Sequence, residues 1–316
     1  MDKKKLFIAT AIAAVLVVLI GAIIVGVACS DTAEPMAKKL TLEDIDRIPR
    51  RPSVLCLSPS FVEIMYRINR EDHIIAVTEG CDFPSDAKTL PNLGSSIDLD
   101  WELVEQLPID VVMLTPSHKI EHARFAKLGK KVIVGDVVSL DSVINTIWTI
   151  GLLFNEEDFV EQWMMELDLA LTVLKKKSVA RDARGEEAPK VLFVLGHEED
   201  FSGKIIVAGA RLFYGDVIVK AGGVNAFQGA VETVAITFEE LVALKPDIVI
   251  DVVPPVDLFQ RLEYESKIKS SWEERLSKDE KNQQPIKVEV FSESWARRPG
   301  PRVIELINNV GKIVFQ

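Results

Sequence analysis

Two of the four histidines, His118 and His122, stand four residues apart, a spacing that aligns two imidazoles on one face of a helix. The sequence fixes no third ligand beside them, so the pair reads as a solvated helix start and not as a metal site. Gly196-His197-Glu198-Glu199-Asp200-Phe201 sets an imidazole among three carboxylates. It lacks the second histidine of the HExxH spacing by which metal-dependent hydrolases grip their ion. No serine lies in a G-x-S-x-G elbow and no Walker loop occurs. Ala221-Gly222-Gly223 runs on into Val-Asn without the strand–turn–helix order of a dinucleotide fingerprint. The chemistry expected is therefore binding and not catalysis: no enzyme, no catalytic cofactor and no metal.

The side chains suited to binding sit in loops. Trp295 lies in Ser292–Gly300, "SESWARRPG", where an indole can offer a broad apolar face and keep its N–H free; a place in the core is the alternative. Phe83 has the same setting. Arg297, Arg298 and Arg302 bring positive charge to one end of an acidic chain, and a guanidinium fork suits a carboxylate or phosphate. Arg302, opening the last helix, can instead serve the backbone.

These side chains need a scaffold, and 316 residues suggest two domains. The net charge of -11, with no basic tract in the body of the chain, argues against nucleic acid as a partner. Three lysines precede an apolar run from Leu6 to Ala28, long enough to cross a bilayer. It ends in Gly26-Val27-Ala28-Cys29, which resembles a lipoprotein processing box with Cys29 as the lipid-bearing residue; an uncleaved anchor or a freely released protein are the alternatives. All three place the body outside the cytoplasm. The expected site is the outer face of the cell membrane, in the periplasm if the cell has two membranes. Cys56 and Cys81 remain in the body, either as a disulfide or as separate buried thiols.

Residues 1–29 are thus the leader or anchor and 30–50 a polar tether. From about Arg51 to Asn155, "SVLCL", "HIIAVT", "DVVMLT" and "KKVIVGD" read as strands. Ser58 stands at a helix cap before the first helix, and further helices are expected at Lys119–Leu128 and Ser142–Leu153. Glu156–Lys177 is an unbroken helical pattern of about 33 Å, acidic at its start and basic at its end, long enough to reach between two lobes. After a loop, residues 189–316 repeat the scheme with strands at Lys190–Leu195, "KIIVAG", "DIVIDVV" and "IKVEVF". A helix within Ala210–Gly223 ends at the glycine pair, and Arg302–Val310 is the last helix. Strands alternating with helices predict an α/β fold: two Rossmann-like lobes with parallel sheets, a long helix between them and a ligand cleft. Open parallel sheets bind beyond the carboxyl ends of their strands. That rule selects Ser60, Asp82, Phe83, Ser96 and Ser117 in the first lobe, and His197, Phe201, Trp295 and Arg298 in the second.

One pattern occurs twice. "ELVEQLPIDVVML" (Glu102–Leu114) is echoed by "EELVALKPDIVIDV" (Glu239–Val252), each with a glutamate eight residues before an aspartate, Asp110 or Asp247, that opens a strand.

"SVLCLSPSFVEIMY", "CDFP" followed by "LPNLGSS", "AGGVNAF" and "RRPGPRVIELI", in this order from about Arg51 to the end, resemble the cobalamin-type substrate-binding proteins of ABC importers. That wider group includes haem and ferric-siderophore receptors. The resemblance implies two lobes on a rigid helix, one cargo molecule between them and no catalysis. The cargo expected is a corrinoid, with haem or a ferric siderophore as alternatives. It also implies one exposed glutamate per lobe, here Glu102 and Glu239, docking onto arginines of a two-fold permease coupled to ATPase subunits. Outside that complex the protein is expected to be a monomer. A membrane-tethered sensor or scaffold that kept the fold without a transport partner is the reading from another class.

Overall fold

The computed structural model describes residues 51–278 and 285–316. The apolar run, Cys29 and the tether lie outside the described residues.

In the first lobe Ser53–Leu57 yields strand β1 (Val54–Cys56), buried on both faces. Helix α1 (Pro59–Arg67) follows; its N-cap is Ser58, as the sequence suggests. The Ser58 side chain makes no capping bond, and Pro59 enters the first turn, where a missing N–H costs nothing. Next come β2 (Ile74–Val77), a small hairpin of β3 (Gly94–Ser95) and β4 (Asp98–Leu99), and short helix α2 (Trp101–Gln106). Then β5 (Val111–Leu114), α3 (Lys119–Lys127), β6 (Lys131–Val134) and α4 (Leu140–Leu153) complete the lobe. Helix α4 begins two residues before its expected start, because Ser139 and Ser142 close a capping box. The sheet order is β2-β1-β5-β6, all parallel. Chain direction across the sheet reverses between β1 and β5, so their trailing loops form the lobe's natural crevice.

The linking helix α5 runs from Glu157 to Ala183, six residues past its expected end, so part of the expected loop is helical. At 1.5 Å per residue it is about 40 Å long. One stripe is buried, Val160, Trp163, Leu167, Ala170 and Leu174, while Met165 and Leu169 on other faces are exposed. Its early turns press on α4, where a Cβ at Gly151 would stand 2.2 Å from Val160.

The second lobe contains β7 (Lys190–Gly196), β8 (Ile205–Ala208), α6 (Phe213–Lys220), β9 (Val224–Asn225) and β10 (Thr233–Ile236). It continues with α7 (Phe238–Ala243), β11 (Ile248–Val252), α8 (Leu258–Ser277), β12 (Lys287–Phe291), α9 (Ser294–Arg297) and α10 (Val303–Val314). Its sheet, β10-β8-β7-β11-β12 with β9 beside β7, is mixed where parallel strands were expected. β7, β11 and β12 are parallel, but β8 runs antiparallel to β7 and β10 to β8. The β7–β8 connection, His197–Lys204, is too short for the crossover that a parallel pair requires. Later turns of α5 rest on α10, where a Cβ at Gly311 would meet Leu174 at 2.3 Å.

One buried cluster runs from Val54, Cys56 and Met113 in the first sheet, through Trp163, Leu167 and Leu174, to Val191, Phe193 and Ile250 in the second. The long helix is therefore a shared wall, packed into both lobes by hydrophobic burial.

Candidate functional site

Loops at the carboxyl ends of the two sheets meet. Gly300 lies beside Ser60, a Cβ there falling 3.9 Å from the Ser60 backbone. The Trp163 indole, buried in α5, donates to the Pro301 carbonyl at 2.8 Å. Tyr214 in α6 donates to the Ala296 carbonyl at 2.6 Å, and burial pushes its phenol pKa well above the usual range.

Four charges close this junction. Arg302 grips Glu63 of α1 with two bonds, Nε to Oε2 at 2.8 Å and Nη2 to Oε1 at 2.5 Å, and its Nη2 also donates to Ser294 Oγ at 3.0 Å. Its guanidinium lies 3.6 Å from the centroid of the Phe83 ring. Arg298 pairs with Asp82 at 2.6 Å, donates to the Gly80 carbonyl at 2.8 Å and lies 3.5 Å from Glu63. Glu63 is only 2% exposed. Two acids from the first lobe thus meet two arginines from the second, a neutral set that suits burial. Asp82 meets Arg298 and Phe83 meets Arg302 at this junction, so Arg298 arrives already paired. Arg302 serves the lobe junction and not the backbone of its own helix.

Trp295 is partly buried, edge-on to Phe291 at 5.2 Å, and packed against the core that runs through both lobes. Ser60 is buried. Ser96 is half-buried between β3 and β4, and Ser117 is exposed with its hydroxyl 2.7 Å from Thr115 Oγ1. His118, expected to be solvated, is buried against Thr115, whose N–H donates to its Nδ1 at 3.2 Å; His122 is exposed. Among the described residues no group of three or more His, Cys, Asp or Glu is placed to hold a metal ion. Cys56 and Cys81 are free and buried, and burial raises both thiol pKa values.

His197 and Phe201 belong to an interior cluster. The imidazole stacks on Phe201 at 4.4 Å, and Phe201, 5% exposed, also meets Trp272 of α8. His197 Nε2 lies 2.7 Å from Asp251 Oδ2, which also accepts from the Trp272 indole at 2.8 Å. The other ring nitrogen, Nδ1, lies 2.7 Å from the Glu198 carbonyl. Both nitrogens face acceptors, an arrangement in which both donate once the ring is protonated. Burial alone would lower its pKa, but the Asp251 hydrogen bond and charge, with the Glu198 carbonyl, raise it above the ordinary value. This pair fastens β7 to β11 and α8; Phe201 is a core side chain and not a cleft surface.

The repeated pattern has a structural basis. Asp110 Oδ2 accepts from Ser53 N–H at 2.9 Å, and Asp247 Oδ2 from Lys190 N–H at 2.7 Å, both across 57 residues. Each aspartate thus closes the start of its lobe's first strand. Upstream, Asp100 caps α2 through Leu103 N–H, and Thr237 caps α7 through Glu240 N–H. Glu102 and Glu239 therefore occupy the same place, the exposed first turn of a capped helix in each lobe. Glu240 is occupied by its capping box, accepting from Thr237 N–H at 2.7 Å. The Glu239 pKa is lowered, chiefly by its own backbone N–H, with Thr237 and Arg275 adding to it against the cost of desolvation.

Sequence reasoning missed Glu63, although a lone acid inside Phe61–Met65, otherwise apolar, was a readable sign of a buried partner. It also assigned no element to α8, although Tyr264, Ile268, Trp272 and Leu276 recur every four residues.

Two sheet-built lobes on one linking helix, with their binding ends in contact, define the class of two-lobed solute-binding proteins. The family profile described as "Periplasmic binding protein" matches residues 54–252, well over half of the chain, and the chain belongs to that family. It is a substrate-binding protein of the ABC-importer type; the family is non-catalytic and implies a place outside the cytoplasm and partnership with a permease and its ATPase. Similar solved structures include a possible iron-binding (periplasmic solute-binding) protein from Staphylococcus epidermidis, with TM-score 0.65 and 21% identity over 84% of this chain and 100% of that one. A periplasmic haem-binding protein from Pseudomonas aeruginosa gives 0.66 and 18%, over 84% and 93%. The periplasmic vitamin B12 binding protein of Vibrio cholerae gives 0.61 and 17%, over 84% and 98%. No curated protein matches the chain.

Proposed function

We propose that this protein captures a corrinoid between its lobes and delivers it to a two-fold permease through Glu102 and Glu239. The observation that carries the delivery reading is the equivalence of the two glutamates. Each stands exposed in the first turn of a capped helix, upstream of an aspartate that clamps the same strand position in its lobe. A two-fold partner needs two like contacts, and this chain supplies one from each half. In this reading residues 51–155 and 189–316 are the lobes, the helix between them sets their spacing, and the N-terminal segment tethers the body to the membrane. Asp82, Phe83, Ser96, Ser117, Trp295 and Arg298 lie around the cargo; Ser60 and His197 support the loops behind them.

Haem is the second reading, favoured because several similar structures are described as haem-binding proteins. Titrating the full chain in detergent with cyanocobalamin, haemin and a ferric siderophore separates them. Saturable one-to-one binding of cyanocobalamin is the expected result. Tight haemin or siderophore binding without cyanocobalamin binding transfers the cargo assignment, and binding of none removes it.

A further inference from the structure

Each lobe repeats more than a glutamate. Trp101 and Phe238 follow the two helix caps directly, and a guanidinium lies over each ring: Arg124 is 3.7 Å from the Trp101 centroid and Arg275 is 4.0 Å from that of Phe238. The arginines come from equivalent elements, α3 after β5 and α8 after β11. Cap, aromatic ring, glutamate and stacked arginine therefore form one unit, present twice.

The copies differ in one contact. Arg275 Nη2 also donates to Glu239 Oε1 at 3.1 Å, and Lys204 lies 3.8 Å from neighbouring Glu240. In the first lobe Arg124 stays on its ring, and among the described residues no cation lies within 4 Å of Glu102. The second copy presents two carboxylates already matched by two cations. The first presents Glu102 and Glu105, both exposed, with its arginine parked on Trp101.

We propose that Arg275 stands in for the partner's guanidinium at Glu239, so that docking is unequal: the open Glu102 surface meets the cationic face of the permease first, and the second surface engages as Arg275 gives up Glu239. This rests on the docking function proposed above. The exchange is easy because Glu239 is well exposed, and exposed pairs of this kind hold weakly. Stacking on Phe238 keeps Arg275 in place once the carboxylate has gone, so the lobe need not rearrange. Uncompensated charge governs encounter rate, which assigns steering to the first lobe.

The test measures association and dissociation of the full-length protein with its permease–ATPase complex in lipid nanodiscs, at low and moderate salt. E102Q should slow association more than E239Q. R275Q should tighten docking by about 1.4- to fivefold, the range expected for releasing one exposed ion pair, and should change nothing in an E239Q background. R184Q, which removes one positive charge from a remote exposed loop, sets the baseline for net charge alone. R275K keeps the cation and should dock like the parent; it also guards against misfolding, with thermal midpoints measured for every variant. If R275Q docks no more tightly than R184Q, or acts equally with and without Glu239, the stand-in role is overturned while docking through the glutamates survives. If the E102Q/E239Q double variant docks like the parent, the docking function itself has failed and this proposal with it.

Discussion

Replacing Glu63 by alanine tests what joins the lobes. Glu63 is 2% exposed and answers two guanidinium groups, each at least 86% buried. Removing one partner of a buried pair costs about 3–5 kcal/mol, because the charge left behind stays desolvated. Arg302 would keep Ser294 Oγ and the Phe83 ring, and Arg298 would keep Asp82 and the Gly80 carbonyl. These contacts put the expected cost at the lower end, about 3 kcal/mol. At roughly 2–4 °C per kcal/mol for a chain of this size class, the midpoint should fall by roughly 6 °C or more. An internal comparison is available in Arg67–Glu166, a 2.9 Å pair whose side chains are 45% and 44% exposed. Glu166→Ala should cost less than about 1 kcal/mol, and that small effect should vanish in concentrated salt, whereas the Glu63→Ala effect should persist. Urea and thermal unfolding of both variants, with and without added NaCl, provide the assay. If Glu63→Ala is no more destabilising than Glu166→Ala, the four-charge junction contributes nothing to holding the lobes together.

Three further outcomes follow from other contacts. Asp110→Ala and Asp247→Ala should each lose a carboxylate–backbone bond, the part-buried bond to Ser53 costing about 1–2 kcal/mol and the exposed bond to Lys190 less, as measured by urea midpoints. Because the folded state raises the His197 pKa, its contribution to stability is complete below about pH 6.5 and is lost as pH rises through the folded value. The thermal midpoint should therefore decline above that pH, and His197→Gln should flatten the profile; a parent profile with no decline contradicts the charged pair. Gly311→Val would drive a side chain into Leu174, at 2.3 Å already for Cβ alone, and should destabilise by more than about 2 kcal/mol in urea unfolding.

The lobes and the linking helix were legible because hydrophobic period is a local signal. Short apolar strands such as Val111–Leu114 and the uninterrupted Glu156–Lys177 pattern need no tertiary information to be read. The direction of β8 was hidden, since it depends on how far a loop must travel and "KIIVAG" looks the same either way. Helix α8 went unread because charged residues surround its four apolar positions, Tyr264, Ile268, Trp272 and Leu276. Candidate site residues were chosen by a rule that finds loops at strand ends but cannot say which way a side chain faces. Asp82 and Phe83 lie at the junction of the lobes, whereas Phe201 turned inward against Trp272 and Arg298 found its counter-ions within the chain. Glu63 shows the same limit from the other side: its role lies in partners more than two hundred residues away.

The equivalence of the two capped helices carries the functional account, and reversing both charges tests it most directly. Import of cargo into cells or proteoliposomes should be measured for the Glu102→Lys/Glu239→Lys protein beside its cargo affinity in solution. The account predicts that import collapses while cargo binds as tightly as before. Import at the parental rate would contradict it.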